Sequence, residues 1–401
     1  MPGKLRQRRR GGEGVPADRP QTSILPLLEA AALASGLPRP FDLGRELLAA
    51  GYFDLSLLNQ WHLVQDLLFE HAQDLADPWP AVEGLGFHPE ARIRFFAPGV
   101  LARLFQDRPE EAIRRLRPWA RDSDFRVAEA IQAFGLRPQA QALGPATVKH
   151  LMPWTDDPSP YVRRAAVEAL RPRGVWVKRI PWTVEAPAKL LPLLEKLRYE
   201  DHRYVANAIG NTLNDISKDH PRLALEVVGR WMQEADDAPL MERISRKGLR
   251  TLLKDGDPFA LRLFGFAELD LKVKARLLNG KEVPPNTTLE FELEIDNRGS
   301  GGPANLIYEL ETQGRNPSRP RRKRYQGGTL DLPAGACLII ALRERIFDRR
   351  ATPLLDGPAK ARFFLNGEAV ACAEFAIRRS KAAASGRSRK PRGGSGSKTT
   401  G

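Results

Sequence analysis

A motif that repeats after 35 residues constrains the fold more than any other feature of this sequence. Trp119 and Trp154 are each followed by an aspartate three positions later and a valine eight positions later. An acid, an aromatic residue and a valine recur at 200–205. Helix pairs repeated at about 35–45 residues stack into solenoids. We therefore predict that residues 21–267 form a HEAT-like α-α superhelix.

The hydrophobic pattern changes once along the chain. Before Leu269, apolar residues recur at helical spacing in a dozen or so segments, with Pro or Asp at many of the boundaries. After Phe266, short alternating segments are separated by Asn-Gly and Gly-Gly turns. About seven strands within residues 268–378 predict an immunoglobulin-like β-sandwich, although the Cys…Trp…Cys signature of antibody domains is absent. The predicted class is thus mainly α, with a C-terminal sandwich.

Charge is distributed unevenly along the 401 residues. The formal net charge is +14, yet residues 21–270 are slightly acidic, and the excess lies in the two ends and the C-terminal third. Residues 1–20 and 379–401 are predicted to be disordered basic tails that attract polyanions. A helical body that binds nucleic acid must then do so through a local basic stripe.

Several classes of protein are disfavoured by what the sequence lacks. It has no run of about 18 apolar residues and no apolar segment behind its N-terminus, which argues against a membrane span and a secretory signal. Phosphate-binding Gly-rich loops and metalloprotease or esterase motifs are missing, and the six histidines are scattered. We expect neither a metal nor a cofactor. The two cysteines, Cys337 and Cys372, fit a reducing cytoplasm; they could pair if close, but buried free thiols are favoured.

Three acidic residues occupy related positions in successive repeats. Counting from the shared valines, Glu129, Glu168 and Asp215 lie at offsets of 2, 6 and 10. At about 100° per residue, these offsets place the three carboxylates on one face roughly opposite the buried stripe. Surface ion pairs would explain the same residues, Glu168 pairing with Arg164 or Arg171, Asp215 with Lys218 and Glu129 with Arg126.

Cations and aromatic residues surround these acids. The candidate DNA contacts in the helical region are Trp176, Arg163, Arg171, Arg173, Lys178, Arg203 and Lys218. A second basic cluster, Arg319-Pro-Arg-Arg-Lys-Arg324, is placed in a loop or at a strand end; it either contacts phosphates through Arg321, Arg322, Lys323 and Arg324 or is a solvated sheet edge. Carboxylates inside a phosphate-binding groove suit cleavage of an N-glycosidic bond, because they stabilise the oxocarbenium-like sugar and orient water.

Two segments resemble a known family. Tyr161-Val-Arg-Arg-Ala-Ala-Val-Glu168-Ala-Leu-Arg-Pro-Arg-Gly-Val-Trp176 and Asn214-Asp-Ile-Ser-Lys-Asp-His-Pro221 are similar to the AlkC branch of the HEAT-like-repeat DNA glycosylases, one subgroup of which carries an Ig-like domain. The resemblance implies excision of cationic bases such as 3-methyladenine and 3-methylcytosine from double-stranded DNA, without a cofactor or an extrusion pocket. It assigns catalytic roles to Glu168 and Asp215 and a deoxyribose contact to Trp176. Glu129 is assigned less specifically, since its segment is closer to the AlkD-like sequences.

The sequence therefore predicts a monofunctional, monomeric DNA-3-methyladenine-type glycosylase of the bacterial cytoplasm. The alternative is a non-catalytic HEAT-repeat scaffold that binds nucleic acid or a protein. The two hypotheses differ in whether methylated DNA releases a free base.

Overall fold

A computed structural model of the chain describes residues 25–37, 42–174, 177–266, 268–316, 318–349 and 352–379. The predicted basic tails lie outside the described residues except for Arg379, which pairs with Asp348 and Asp356. Two compact units are present, one made of 1–216 and 239–244, the other of 217–238 and 245–401.

Helices account for the chain as far as residue 263, apart from their connections. In chain order they are α1 (Leu25–Ala34), α2 (Leu43–Ala49), α3 (Leu57–Gln73), α4 (Trp79–Gly86), α5 (Ala91–Arg94), α6 (Ala97–Leu104), α7 (Pro109–Leu116), α8 (Phe125–Ala130), α9 (Arg137–Leu143), α10 (Thr147–Leu151), α11 (Pro160–Glu168), α12 (Pro181–Glu185), α13 (Leu191–Lys196), α14 (Arg203–Asp219), α15 (Pro221–Glu234), α16 (Ala238–Gly248), α17 (Arg250–Asp255) and α18 (Pro258–Leu263). A π-helical turn, Ile131–Leu136, joins α8 to α9.

The acids of the repeated motif start the helices that follow them. Asp122, Asp157 and Glu200 each accept a hydrogen bond from the backbone N–H two residues later, at 2.8, 3.0 and 3.1 Å. Each acid lies five residues before a buried valine of the next helix. These N–H groups belong to the residue just before each helix, so the acids order the turn that leads into it, and in α8 that residue, Asp124, accepts from Arg126 N as the N-cap. The repeat read from the sequence is thus a repeat of helix starts.

Arginines pair with the same three acids. Arg94 Nε lies 2.6 Å from Asp122, and Arg163 donates to both carboxylate oxygens of Glu200. Asp157, whose side chain is fully buried, forms ion pairs with Arg117 and Arg121. Because these arginines lie 28 to 40 residues from their acids, they tie successive repeats together.

The repeated tryptophans lie in the core of the first unit. Trp119 and Trp154 are buried, and Trp119 stacks on Trp79 with ring centroids 5.9 Å apart. The backbone of Gly86 approaches the Trp119 ring so closely that a Cβ atom would lie 2.1 Å from it. The indole therefore fixes the packing of α4 against the motif.

Eight strands follow the helices in the part of the chain that the structure describes. They are β1 (Leu271–Leu277), β2 (Glu282–Val283), β3 (Thr288–Asn297), β4 (Gly302–Thr312), β5 (Arg321–Leu332), β6 (Cys337–Arg345), β7 (Gly357–Leu365) and β8 (Glu368–Ile377). One sheet has the order β1-β3-β6 and the other β2-β8-β7-β4-β5. All pairs are antiparallel except β2–β8. Buried side chains from both sheets, among them Phe291, Leu293, Phe363 and Phe375, form a single core.

The strands differ in burial, and the expectation about the cysteines is wrong. The apolar segment 337–342 alternates between exposed and partly buried residues, because β6 is an edge strand with one face in solvent. Conversely, β4 is buried along 304–310, on both faces. Its outer face includes Asn305, whose amide donates to the carbonyl of Leu253 near α17 in the same unit. Cys337 and Cys372 are exposed rather than buried, and both are free thiols.

None of the described helices combines the length and apolar character that a membrane span requires.

Candidate active site

Arg171 joins two of the predicted catalytic carboxylates. Glu168 is the last residue of α11, and Asp215 lies in α14. Arg171 Nη1 lies 2.5 Å from Glu168 Oε1, while its Nε and Nη2 each lie 3.0 Å from Asp215 Oδ2. The two carboxylates therefore meet at a single guanidinium, whose planar arrangement of donors suits such bridging.

The electrostatics of this cluster favour a charged guanidinium. Burial of Arg171 opposes its charge, but the carboxylates of Glu168 and Asp215 outweigh that effect and raise the pKa of Arg171 above its ordinary value. Two carboxylates and one guanidinium leave a net charge of −1 at neutral pH. Arg171 thus offsets the repulsion that two neighbouring carboxylates would otherwise have.

Glu129 is held by the next repeat. Arg164 Nη2 in α11 lies 2.6 Å from Glu129 Oε1 in α8. Arg164 and Glu168 are four residues apart in α11, so their side chains emerge on the same helix face. The acids of three successive repeats are therefore arranged in sequence along this face, each paired with an arginine of α11 or its exit. Arg126, the partner considered for Glu129, pairs with Asp124 instead.

The predicted exposure of these acids is wrong for Asp215. The side chains of Glu129, Glu168 and Asp215 are 22%, 10% and 1% exposed. In α14, residues 212–216 are all buried, so this part of the helix has no solvent face. A residue opposite the valine stripe is therefore not exposed here, because other parts of the protein cover this part of α14 on all sides. Glu168 is consequently the more accessible acid of the Arg171 pair.

Arg137, which the sequence analysis did not select, holds the connection after α11. Its two terminal nitrogens donate to the carbonyls of Ala169, Arg171 and Lys178, each at 2.9 Å. Burial lowers the pKa of Arg137 to about 10, with the charge of Arg171 acting in the same direction. The guanidinium of Arg137 therefore forms hydrogen bonds with the backbone at both ends of the segment 169–178.

A second contact fixes the same segment. Val177 packs against a small cluster formed by Ala130, Ala133 and Phe134 around the π-helical turn. Trp176, the predicted deoxyribose contact, lies outside the described residues. Its neighbours are nevertheless anchored, since Arg137 and Val177 hold the chain on either side of it. The sequence gives one signal for Arg137, a cation within an otherwise apolar stretch of helix at Leu136-Arg-Pro.

The remaining predicted DNA contacts of the first unit divide into two groups. Arg163 is committed to Glu200, and the carbonyls of Asp157 and Pro158 accept from it as well. Lys178 and Arg203 are exposed, and Arg173 is partly buried. The accessible cations are therefore the candidates for phosphate contacts, whereas Arg163 and Arg171 bind carboxylates of the protein.

The second unit contains the other predicted contacts. Lys218 is exposed near the end of α14. The basic cluster begins the edge strand β5, where Arg322 pairs with Glu311 and Arg324 with Glu309. Lys323 lies over the Tyr325 ring, and Arg321 is exposed. Alternate side chains of residues 321–324 thus point to opposite faces of a strand, and two of these four residues, Arg322 and Arg324, are paired with acids.

The chain is similar to known proteins both in sequence and in fold. Residues 62–249, which contain all three acids, match the model of a family described as DNA alkylation repair enzyme. The match covers slightly less than half of the chain. An uncharacterized Bacillus subtilis protein, YhaZ, is 36% identical over 163 residues, which is 40% of this chain and 45% of that protein. The chain thus matches about half of that relative's length.

A solved structure extends the likeness to most of the chain. The alkylpurine DNA glycosylase AlkC of Pseudomonas fluorescens, bound to DNA containing an abasic site analog, aligns with a TM-score of 0.73 at 21% identity. The alignment covers 89% of this chain and 97% of that one. The helical region therefore has an AlkC-like helical-repeat fold, as predicted, and a region with eight described strands follows it.

Proposed function

We propose that this protein is a monofunctional DNA glycosylase that hydrolyses the N-glycosidic bond of cationic alkylated bases, 3-methyladenine and 3-methylcytosine, in double-stranded DNA. The observation that carries the proposal is the bridge from Arg171 to Glu168 and Asp215, two carboxylates from successive repeats. The match of residues 62–249 to the DNA alkylation repair enzyme model supports it. So does the fold shared with an alkylpurine DNA glycosylase.

The two carboxylates of the cluster suit this reaction. An alkylated base that carries a positive charge leaves as a neutral molecule, so it requires no general acid. The deoxyribose then acquires positive charge, which a nearby carboxylate stabilises electrostatically. Glu168, the more accessible acid, would contact the sugar and position water, while Asp215 holds Arg171 from the buried side. Glu129 would assist from the preceding repeat.

The surrounding residues would bind the duplex. In this proposal Lys178, Arg173, Arg203 and Lys218 contact phosphates, Trp176 contacts the deoxyribose of the lesion, and Arg137 positions the segment that carries it. Arg321 and Lys323 would add phosphate contacts from the second unit. No cofactor is required. We further propose an Ig-like domain at 268–378 after a HEAT-like glycosylase domain at 21–267, and a monomer acting in the bacterial cytoplasm.

A non-catalytic scaffold is the second candidate function. The observation that favours it is that Glu129, Glu168 and Asp215 each bind an arginine of the protein. Carboxylates that only join repeats would have such partners. The inter-repeat pairs of Asp122, Asp157 and Glu200 have this structural form.

Release of a free base separates the two candidates. The full-length protein is incubated with DNA methylated by a simple alkylating agent, and the released bases are separated by chromatography. A glycosylase releases 3-methyladenine at a rate above that of the same DNA without protein, and DNA containing 3-methylcytosine is tested in parallel. Binding of the DNA with no free base above the uncatalysed level would favour the scaffold.

A further inference from the structure

A large cavity in the first unit has no role in the proposed reaction. It has a volume of about 940 Å³ and lies between α3, α6, α9 and the segment 177–180. Its volume is within the range of small-molecule sites. Arg137 contributes to its wall and also binds the carbonyl of Arg171, but none of the three acids lines it.

The floor of the cavity is apolar and contains an aromatic ring. Phe134, Ala102 and Ile180 are buried there. The Phe134 ring meets the His62 ring edge to face, with centroids 5.3 Å apart. Burial and the nearby Arg103 lower the pKa of His62, so the imidazole is predominantly neutral at pH 7. The floor thus presents flat, uncharged surfaces to a ligand.

The polar residues that line the cavity are cations and side-chain amides. Arg103, Arg137 and Lys178 are cations, and no carboxylate is among the lining residues. Arg103 pairs with Asp66 outside this lining. Arg137 donates to backbone carbonyls, so Lys178 and Arg103 are the cations that face a ligand. Four side-chain amides complete the set: Asn59, Gln65, Gln106 and Gln141. Gln65 is fully buried, and its Nε2 has no hydrogen-bond partner, which is costly for a buried donor.

We propose that this cavity binds a nucleotide with an uncharged base. Phosphate oxygens suit Lys178 and Arg103, the base ring suits the apolar floor, and amides that both donate and accept suit the edge of a base. A cationic methylated base would find no carboxylate partner among the lining residues. The ligand is therefore not the damaged nucleotide, and the inference does not rest on the proposed glycosylase activity.

The same chemistry has two sources, a free nucleotide or one undamaged nucleotide unit of a nucleic acid strand. Calorimetric titration of the full-length protein compares adenosine monophosphate, adenosine and a 5′-phosphorylated trideoxynucleotide. Adenosine should bind at least about tenfold more weakly than the monophosphate, because it lacks the charged hydrogen bonds. Tight binding of the monophosphate identifies a free nucleotide, and binding of the trinucleotide alone identifies a strand unit.

Matched variants locate the binding. Arg103→Met removes a cation from the cavity, whereas Arg108→Met removes one from the exposed surface around α7, so both change the net charge equally. Arg103→Met should lower the affinity for the phosphate-bearing ligand at least about tenfold, whereas Arg108→Met should change it less than twofold. Gln106→Glu, at an exposed rim position, provides a second variant that should also weaken binding without depending on Arg103.

Three results would overturn the proposal. They are equal affinities for adenosine and its monophosphate, equal effects of Arg103→Met and Arg108→Met, and binding of neither nucleotide form at millimolar concentration. A thermal melt of each variant is measured alongside, so that loss of folding is distinguished from loss of binding.

Discussion

Replacing Arg171 by Met should destabilise the fold strongly, because a buried cation would be lost from between two acids. Arg171 makes contacts at 2.5 and 3.0 Å to Glu168 and Asp215, and Asp215 is 1% exposed. Removing one partner of a buried ion pair typically costs about 3–5 kcal/mol, since the remaining charge stays desolvated. We expect the free energy of unfolding to fall within that range.

The assay is urea denaturation followed by circular dichroism, with the free energy extrapolated to water. Arg108→Met is the control, because it also removes an arginine that pairs with a glutamate, but at a site where the arginine side chain is 63% exposed. Exposed ion pairs contribute about 0–1 kcal/mol, so this variant should be near the wild type.

A double-mutant cycle separates the charge interaction from lost packing. Asp215→Asn removes the buried charge that Arg171 compensates, so Arg171→Met should cost less in the Asp215→Asn background than in the wild type. We expect a coupling free energy of about 1–3 kcal/mol. A loss below about 1 kcal/mol for Arg171→Met, or no coupling, would refute the claim that this guanidinium holds the cluster together.

Three further predictions concern other parts of the molecule. Arg137→Met should lower the free energy of unfolding by at least about 2 kcal/mol and open the segment 169–178 to proteases, because three hydrogen bonds are lost; mass spectrometry of limited digests detects the cleavage. Hydrogen bonding from Arg126 lowers the pKa of Asp124 from 3.8 to about 2. Its stabilisation is therefore complete above about pH 4 and lost as pH falls through 2, and after solvent screening amounts to about 1 kcal/mol or less. Urea denaturation at pH 5 and pH 3 should show a smaller pH-dependent loss for Asp124→Asn than for the wild type. Gly86→Ala should destabilise by at least about 1–3 kcal/mol because its Cβ would meet the Trp119 ring at 2.1 Å. Gly229→Ala, whose Cβ meets its nearest side chain at 3.5 Å, should instead stabilise α15 by up to about 1 kcal/mol. Thermal melts of the two glycine variants would contradict this if they shifted in the same direction.

Local patterns in the sequence were sufficient to predict the helical repeat. The acid five residues before each valine orders the turn that leads into a helix, so its role depends on neighbours in the chain. The change from helices to strands was likewise predicted, and β1 begins at Leu271. Both features follow from short-range chemistry, namely capping and hydrophobic periodicity.

Strand β5 shows where such patterns fail. Its sequence, with four cations and the Gly327-Gly328 pair, resembles a loop more than a strand. An edge strand tolerates the four cations because one of its sides has no partner in the sheet. It tolerates the two glycines because the pairing with β4 shifts register near them. Its assignment as a strand required the pairing with β4, which is not encoded locally.

The candidate site was predictable in composition but not in connectivity. The offsets of Glu168 and Asp215 placed them on a shared diagonal, and the structure brings both to Arg171. Arg171 itself was assigned to phosphate, since sequence alone does not show that a cation's partners lie 44 residues away. Arg137 was missed for the same reason, because all three of its acceptors are backbone carbonyls of a later segment.

One measurement tests the central claim most directly, the single-turnover release of 3-methyladenine by Glu168→Gln and Asp215→Asn. The matched control is Glu111→Gln, which changes a glutamate paired with arginines of its own helix region. Our account predicts that both site variants fold and bind DNA but release base at least about a hundredfold more slowly, as loss of electrostatic stabilisation implies. The control should match the wild type. Release by Glu168→Gln and Asp215→Asn at the wild-type rate would contradict the account.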